Sequence, residues 1–239
     1  MDALAFLPLG MFVGMAHALE ADHLAAVATM MDKEENRLRL VRRGAFWGLG
    51  HTISLFAICS VVTLFGLTIS ERVESALEFA VGVMIVLLGL NVLRKLRRGG
   101  YHAHVHEHSG HKHIHLHRHE ASVDAAAKAR HDHGHASRLS GLKPVVVGLM
   151  HGAAGSAGLL VLMVAAIQEP WQAYLYAAVF GLGSIMGMAA LSAVVSLPLV
   201  VLHRRGPAMR LATSLAIGGV ALYVGGALAY ESFSHLAHL

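Results

Sequence analysis

The run His17-Ala18-Leu19-Glu20-Ala21-Asp22-His23 places two imidazoles and two carboxylates within an otherwise apolar stretch. Ionisable groups inside such a stretch are expensive, about 2.5–3.5 kcal/mol for a central Asp on insertion scales, and mark function more often than packing. Imidazole and carboxylate together are the ligand types that suit divalent nickel, cobalt and zinc. At 100° per residue Asp22 lies about 140° around a helix from His17, and His23 about 240°. A straight helix cannot aim all three at one ion. Either the helix unwinds here, as discontinuous helices do around transport sites, or the residues serve successive positions along a path.

Two further histidines have similar settings. His51 follows Gly48-Leu49-Gly50 and precedes Thr52 and Ser54, and His151 opens the small-residue run Gly152-Ala153-Ala154-Gly155-Ser156-Ala157-Gly158. A lone intramembrane histidine can simply bond a neighbouring helix, and glycines beside it are accounted for equally well by close helix packing. Packing does not explain the histidines as a set. The candidate metal ligands are therefore His17, Asp22, His23, His51 and His151. Met15 and Met150 could add thioether sulfurs but read more simply as apolar filler. Asn91 is placed to bond across helices.

The elements that position these groups follow from hydropathy. Of the 239 residues 55% are hydrophobic and only 14% charged, against roughly a quarter charged in a soluble domain. Six stretches are long enough to cross a hydrocarbon core, which takes about 20 helical residues: Ala3–Met30, Gly44–Ile69, Leu77–Leu93, Pro144–Ile167, Ala173–Leu202 and Leu211–Tyr230. Lys and Arg fall five between the first two, ten between the third and fourth and three between the last two, leaving only Arg72 on the other side. This bias orients the chain with both termini outside and the long central loop in the cytoplasm. The formal charge of +4 thus reads as membrane topology, not as a nucleic-acid surface. The lone Cys59 permits no intramolecular disulfide, and the N-terminus, without a basic start, does not read as a cleavable signal. His51 and His151 each fall about 12 Å in from the cytoplasmic face at 1.5 Å per residue, level with Asp22 and His23.

The halves echo each other. Gly14-Met15-Ala16-His17 matches Gly148-Leu149-Met150-His151, and Trp47-Gly48-Leu49-Gly50-His51 matches Phe180-Gly181-Leu182-Gly183-Ser184. Ala80-Val81-Gly82 with Gly89 matches Ala216-Ile217-Gly218 with Gly225, the offset staying between 133 and 136 residues. Three helices per copy make the second copy inverted, an arrangement common in transporters. The expected fold class is an all-α integral membrane protein of six helices in two inverted three-helix repeats, residues 1–98 and 143–239. Residues 99–142 form a histidine-rich cytoplasmic loop with twelve histidines from His102 to His135, expected to lack order without metal.

His17-x-x-x-x-Asp22-His23, extended through Leu24-Ala25-Ala26-Val27, resembles the signature of the nickel/cobalt transporter family (NiCoT/NicO). Leu49-Gly50-His51-Thr52 resembles that family's second motif. The resemblance is close in the first half and looser in the second, where His151-Gly152-Ala153-Ala154-Gly155 stands in place of the longer members' acidic motif. That departure is similar to the short, urease-accessory-type (UreH-like) branch. The resemblance implies a secondary permease for Ni2+ or Co2+, with uptake favoured because the first-helix motif is closer to the uptake members. It implies no catalysis and no resident cofactor, the ion being cargo that the histidine-rich loop also binds. No Gly-x-x-x-x-Gly-Lys-[Ser/Thr] run is present for nucleotide hydrolysis. Expected partners are the ion and the lipid bilayer, with a second copy or a metallochaperone left open and no nucleic acid. Efflux by the same fold is the first alternative, separated by the sign of metal flux. A di-iron membrane enzyme would need compact histidine clusters on ordered cytoplasmic helix ends, and a haem subunit would show a Soret band.

Overall fold

The computed structural model describes residues 6–31, 37–67, 69–98, 101–108, 111–118, 138–153, 167 and 169–239. Seven helices are described: α1 Phe6–His17, α2 Ala21–Met31, α3 Arg37–Phe65, α4 Glu71–Arg98, α5 Arg138–Gly152, α6 Pro170–Arg204 and α7 Pro207–His238. Four of them, α3, α4, α6 and α7, are long and apolar enough to cross a membrane.

The stretch Ala3–Met30, expected as one span, is broken. α1 ends at His17, α2 begins at Ala21, and Ala18-Leu19-Glu20 forms the joint. The last turn tightens through Leu19 N–H to the Ala16 carbonyl (2.9 Å) and Glu20 N–H to the His17 carbonyl (3.2 Å). Leu24 N–H to the Glu20 carbonyl then opens the new helix (3.0 Å). The joint contains neither Gly nor Pro, so local propensity does not dictate it. Side chains hold it instead, and Asp22 lies in the first turn of α2, where the helix dipole favours a negative charge.

In α3 the buried positions are Leu40, Gly44, Trp47, Gly48, Gly50, His51, Leu55, Cys59 and Val62, and Leu40, Gly44, Trp47, His51, Leu55, Cys59 and Val62 among them recur every three or four residues. They form one stripe toward the interior. Phe46, Leu49, Ile53 and Phe56 stay exposed on its other side. An apolar outer face on so long a helix suits lipid rather than water. α4 begins at Glu71, earlier than the expected Leu77, after a turn in which Gly66 takes φ 58°. Gly206, at φ 115°, makes the turn between α6 and α7. A side chain is strained at both positions. The fourth expected span begins at Arg138 and is helical to Gly152, its continuation falling outside the described residues.

Glycines set the helix contacts, as in membrane bundles where bare backbone allows close approach. A Cβ on Gly14 of α1 would strike the backbone of Phe180 and Ser184 in α6. One on Gly148 of α5 would strike the backbone of Trp47 and His51 in α3. Each contact of the first pair maps onto the second by the same offset of 133 or 134 residues. α4 and α7 exchange Gly82 with Gly225 and Gly89 with Gly218 in the same reciprocal way. The short α2 is wedged between the two seams. Its Ala26 and Val27 pack with Leu40, Trp47, Met188 and Leu191, and its Ala25 with Val81, Ile85 and Ala221.

The expectation of an all-α chain with an unordered loop needs one correction. Tyr101–His108 (β1) and His111–Arg118 (β2) pair as an antiparallel hairpin. The cause is in the spacing, since a residue type at every second position has the period of a strand, not of a helix. In the register of the ladder His102 stands opposite His117, His104 opposite His115, His106 opposite His113 and His108 opposite His111. His119, His131, His133 and His135 lie outside the described residues.

Candidate metal centre

The break after His17 solves the angular problem of the first motif. Ending α1 at His17 and restarting at Ala21 turns Asp22 and His23 back toward the interior. α3 brings His51 to the same place, and α5 brings His151 at its last turn. All four imidazoles are buried, His23 and His51 with 0% of their surface exposed. The five residues singled out in the sequence thus meet in one cluster.

Two carboxylates brace the rings. His17 Nδ1–H donates to Glu20 Oε1 at 2.7 Å. Asp22 Oδ1 accepts from the His23 backbone N–H (2.7 Å) and from His23 Nδ1–H (2.8 Å), and Asp22 Oδ2 accepts from His151 Nε2–H (2.9 Å). A ring that donates one N–H to a carboxylate presents its other nitrogen as a bare lone pair, the arrangement typical of metal-ligating histidines. His17 Nε2 faces His51 Nε2 at 3.1 Å. Cis ligands at about 2.1 Å from one ion stand about 3 Å apart. His23 Nε2, His51 Nδ1 and His151 Nδ1 are buried with no hydrogen-bond partner among the described residues. Buried polar nitrogens are rarely left so.

The ligand atoms form two overlapping triads. His17, His23 and His51 offer atoms all within 4.8 Å of one another, and so do Asp22, His23 and His151. His23 belongs to both, its ring centroid 4.5 Å from that of His17, 4.2 Å from His151 and 5.3 Å from His51. The first triad is all nitrogen and the second mixes nitrogen with a carboxylate oxygen. Both could hold a borderline divalent cation. Of the two arrangements the motif left open, the geometry contains the broken helix, and the candidate ligand atoms fall in two overlapping groups.

Sequence reasoning left three residues out of the ligand set. Glu20 stood in the motif, and its spacing of three from His17 was the available signal. Trp47 is fully buried with its ring centroid 5.5 Å from both His23 and His151. Ser184, which matches His51 in the second half, is buried with Oγ lacking a partner among the described residues. Met150 is exposed, and Met15 lies against Gly187 of α6.

The sequence profile of the NicO family, described as high-affinity nickel-transport protein, matches residues 3–232. The chain belongs to the NicO family. Its match spans both halves and both triads. The urease accessory protein UreH of Bacillus sp. (strain TB-90) is 30% identical over 204 residues, which is 85% of this chain and 82% of that protein. No solved structure matches the chain. For a NicO chain with this apolar surface, membrane residence follows from α3, α4, α6 and α7 alone.

Proposed function

We propose that this NicO chain is a secondary permease that carries nickel or cobalt ions into the cell across the cytoplasmic membrane. The observation that carries the reading is His23, buried, with a bare Nε2, shared between the two triads. An ion that exchanges Asp22 and His151 for His17 and His51 keeps His23 throughout. Shared ligation of this kind lets an ion move without returning to water at each step. Asp22 offsets the ion's charge where water is scarce, and the imidazoles replace its hydration shell. Glu20 and Asp22 hold the rings in the tautomer that ligation needs.

The path lies between two inverted three-helix repeats, residues 1–98 and 143–239. The matching contacts of Gly14 on Phe180 and Ser184 and of Gly148 on Trp47 and His51, with the reciprocal contact of Gly82 and Gly225, support this. α1 with α2, α3, α4, the span begun by α5, α6 and α7 are then six membrane passes. The distribution of Lys and Arg puts both termini outside and residues 99–142 in the cytoplasm. The histidine-rich segment there binds the same ions as an accessory, for delivery to a metallochaperone or a second copy. Membrane potential, worth about 2.3 kcal/mol per charge per 100 mV, supplies drive without nucleotide hydrolysis.

The test is radiolabelled nickel content over time in cells expressing wild type or His23→Asn at equal membrane levels. Wild-type cells are expected to accumulate nickel, and variant cells no more than cells lacking the protein. Lower content in wild-type cells than in those controls would reverse the direction to efflux. Equal content for nickel and cobalt in all three would remove the metal from the reading.

A further inference from the structure

We propose that Trp47 and Phe180 are the two gates of the ion path, one on each side of the imidazole cluster. The inference rests on the transport reading, and its test reads access rather than cargo. The two residues hold matching positions in the two halves, each four residues ahead of a cluster position on its own helix. Trp47 precedes His51, and Phe180 precedes Ser184. Both rings are buried and both lie against the imidazoles. The Phe180 ring centroid is 5.7 Å from that of His17, and the Trp47 centroid is 5.5 Å from His23 and from His151.

They approach from opposite sides. α3 and α6 run antiparallel, since Gly44 faces Ser192, Gly48 faces Ile185 and the Thr52 hydroxyl donates to the Gly181 carbonyl at 3.0 Å. Phe180 therefore stands just beyond the level of Thr52 while Trp47 stands short of Gly48. At 1.5 Å per residue they are roughly 9 Å apart along the helix axis, with His51 between them. α1 runs parallel to α6, Met11 lying against Gly183 and Met15 against Gly187. Displacing Phe180 thus opens the cluster toward the side from which α1 and α6 start. Displacing Trp47 opens it toward the side from which α3 starts. Each ring thus covers the imidazoles from one end of this axis.

Two details favour movement of these rings over a purely structural role. The buried Trp47 Nε1–H has no hydrogen-bond partner among the described residues, whereas a buried indole is ordinarily satisfied. Each ring is also followed at once by a glycine of the α3–α6 seam. Gly48 lies against the Ile185 backbone and Gly181 against the Thr52 side chain. The same bare contact beside each gate gives the two helices a surface to roll on.

The experiment uses the full chain in oriented membrane vesicles, with Cys59→Ser and His51→Cys introduced to place one thiol in the cluster. A membrane-impermeant methanethiosulfonate reagent is applied from either side. Phe180→Ala is expected to speed labelling at least tenfold from the outer side alone, and Trp47→Ala at least tenfold from the cytoplasmic side alone. Phe180→Val and Trp47→Leu, which keep more apolar bulk, are expected to show the same sidedness with smaller factors. Proteins are compared only where they elute from a sizing column as wild type does. Labelling unchanged by every variant, or raised from the same side by both rings, overturns the gates. Because no metal is present, a negative result on nickel transport leaves this measurement intact. A leak supports the proposal from another direction. The double variant Trp47→Ala/Phe180→Ala, with native Cys59 and His51, is expected to pass nickel in proportion to its concentration. Saturation of that flux at the wild-type KM would count against the gates.

Discussion

Asp22→Asn tests the bracing of the cluster most sharply, because it changes charge and bonding while leaving shape nearly constant. The carboxylate accepts three N–H groups: two from His23 on Oδ1 and one from His151 on Oδ2. An asparagine carbonyl placed at Oδ1 keeps the two His23 bonds. Its amide N–H2 then points at His151 Nε2–H, donor against donor. Relief comes only if His151 moves its proton to Nδ1, which has no partner among the described residues. Either way one charge-assisted bond is lost, worth about 1.5–3 kcal/mol. That is roughly a ten- to hundredfold fall in affinity, the range typical when the partner of a ligating histidine is removed. Initial rates of radiolabelled nickel uptake, measured against nickel concentration at matched protein levels, should show this fall in kcat/KM, carried mainly by KM. Coupling gives a second reading, since contacting residues are not additive. In a His151→Ala background Asp22→Asn should cost much less than it does alone. A KM within twofold of wild type, or full additivity of the two changes, would refute the bracing argument.

Other outcomes follow from the same geometry. Glu20→Gln, whose carboxylate braces His17 from a half-exposed position, should raise KM by less than Asp22→Asn does in the same assay. Gly14→Ala and Gly148→Ala each drive a methyl into a backbone carbonyl of the facing helix. Overpacking of that kind typically costs about 1–3 kcal/mol, and both variants should lower the midpoint of thermal unfolding in detergent. Gly219→Ala, with nothing within 4 Å of its new methyl, should leave the midpoint unchanged or slightly raised, by up to about 1 kcal/mol of helix propensity. Deleting Tyr101–Arg118 should lower the number of nickel ions retained by purified protein in equilibrium dialysis while sparing most of the uptake rate. Loss of uptake with that deletion would make the hairpin part of the transport path.

The helices and the meeting of five polar residues were legible in the sequence because both rest on strong signals. Long apolar stretches separated by basic clusters leave little freedom in the number of long helices, and α3, α4, α6 and α7 fall where hydropathy put them. His17, Asp22 and His23 could not share one face of a straight helix, so the angular mismatch left either a break or successive positions open. What it could not give was the position. Ala18-Leu19-Glu20 has no Gly or Pro, and the joint is fixed by bonds that Glu20 and Asp22 make only once the ends fold together. Trp47 escaped notice because a tryptophan in an apolar helix has many apolar uses, and its place beside two imidazoles depends on α2 and α5 as well as α3. The hairpin was missed for a different reason. Low-complexity composition argues against order, whereas alternate histidines from His102 to His108 carry the strand period.

The joint at residues 18–20 divides one motif between two supports. α1 rides on α6, whereas α2 is packed against α4 and α7 as well. His17 thus ends a helix borne by α6, and Asp22 and His23 start one that contacts α4 and α7 besides α6, although only four residues separate His17 from Asp22. A shift of α6 relative to α4 and α7 would therefore act on the gap between His17 and His23. The number of ligands within reach of an ion would then depend on where those helices stand, with three linking residues joining the two supports.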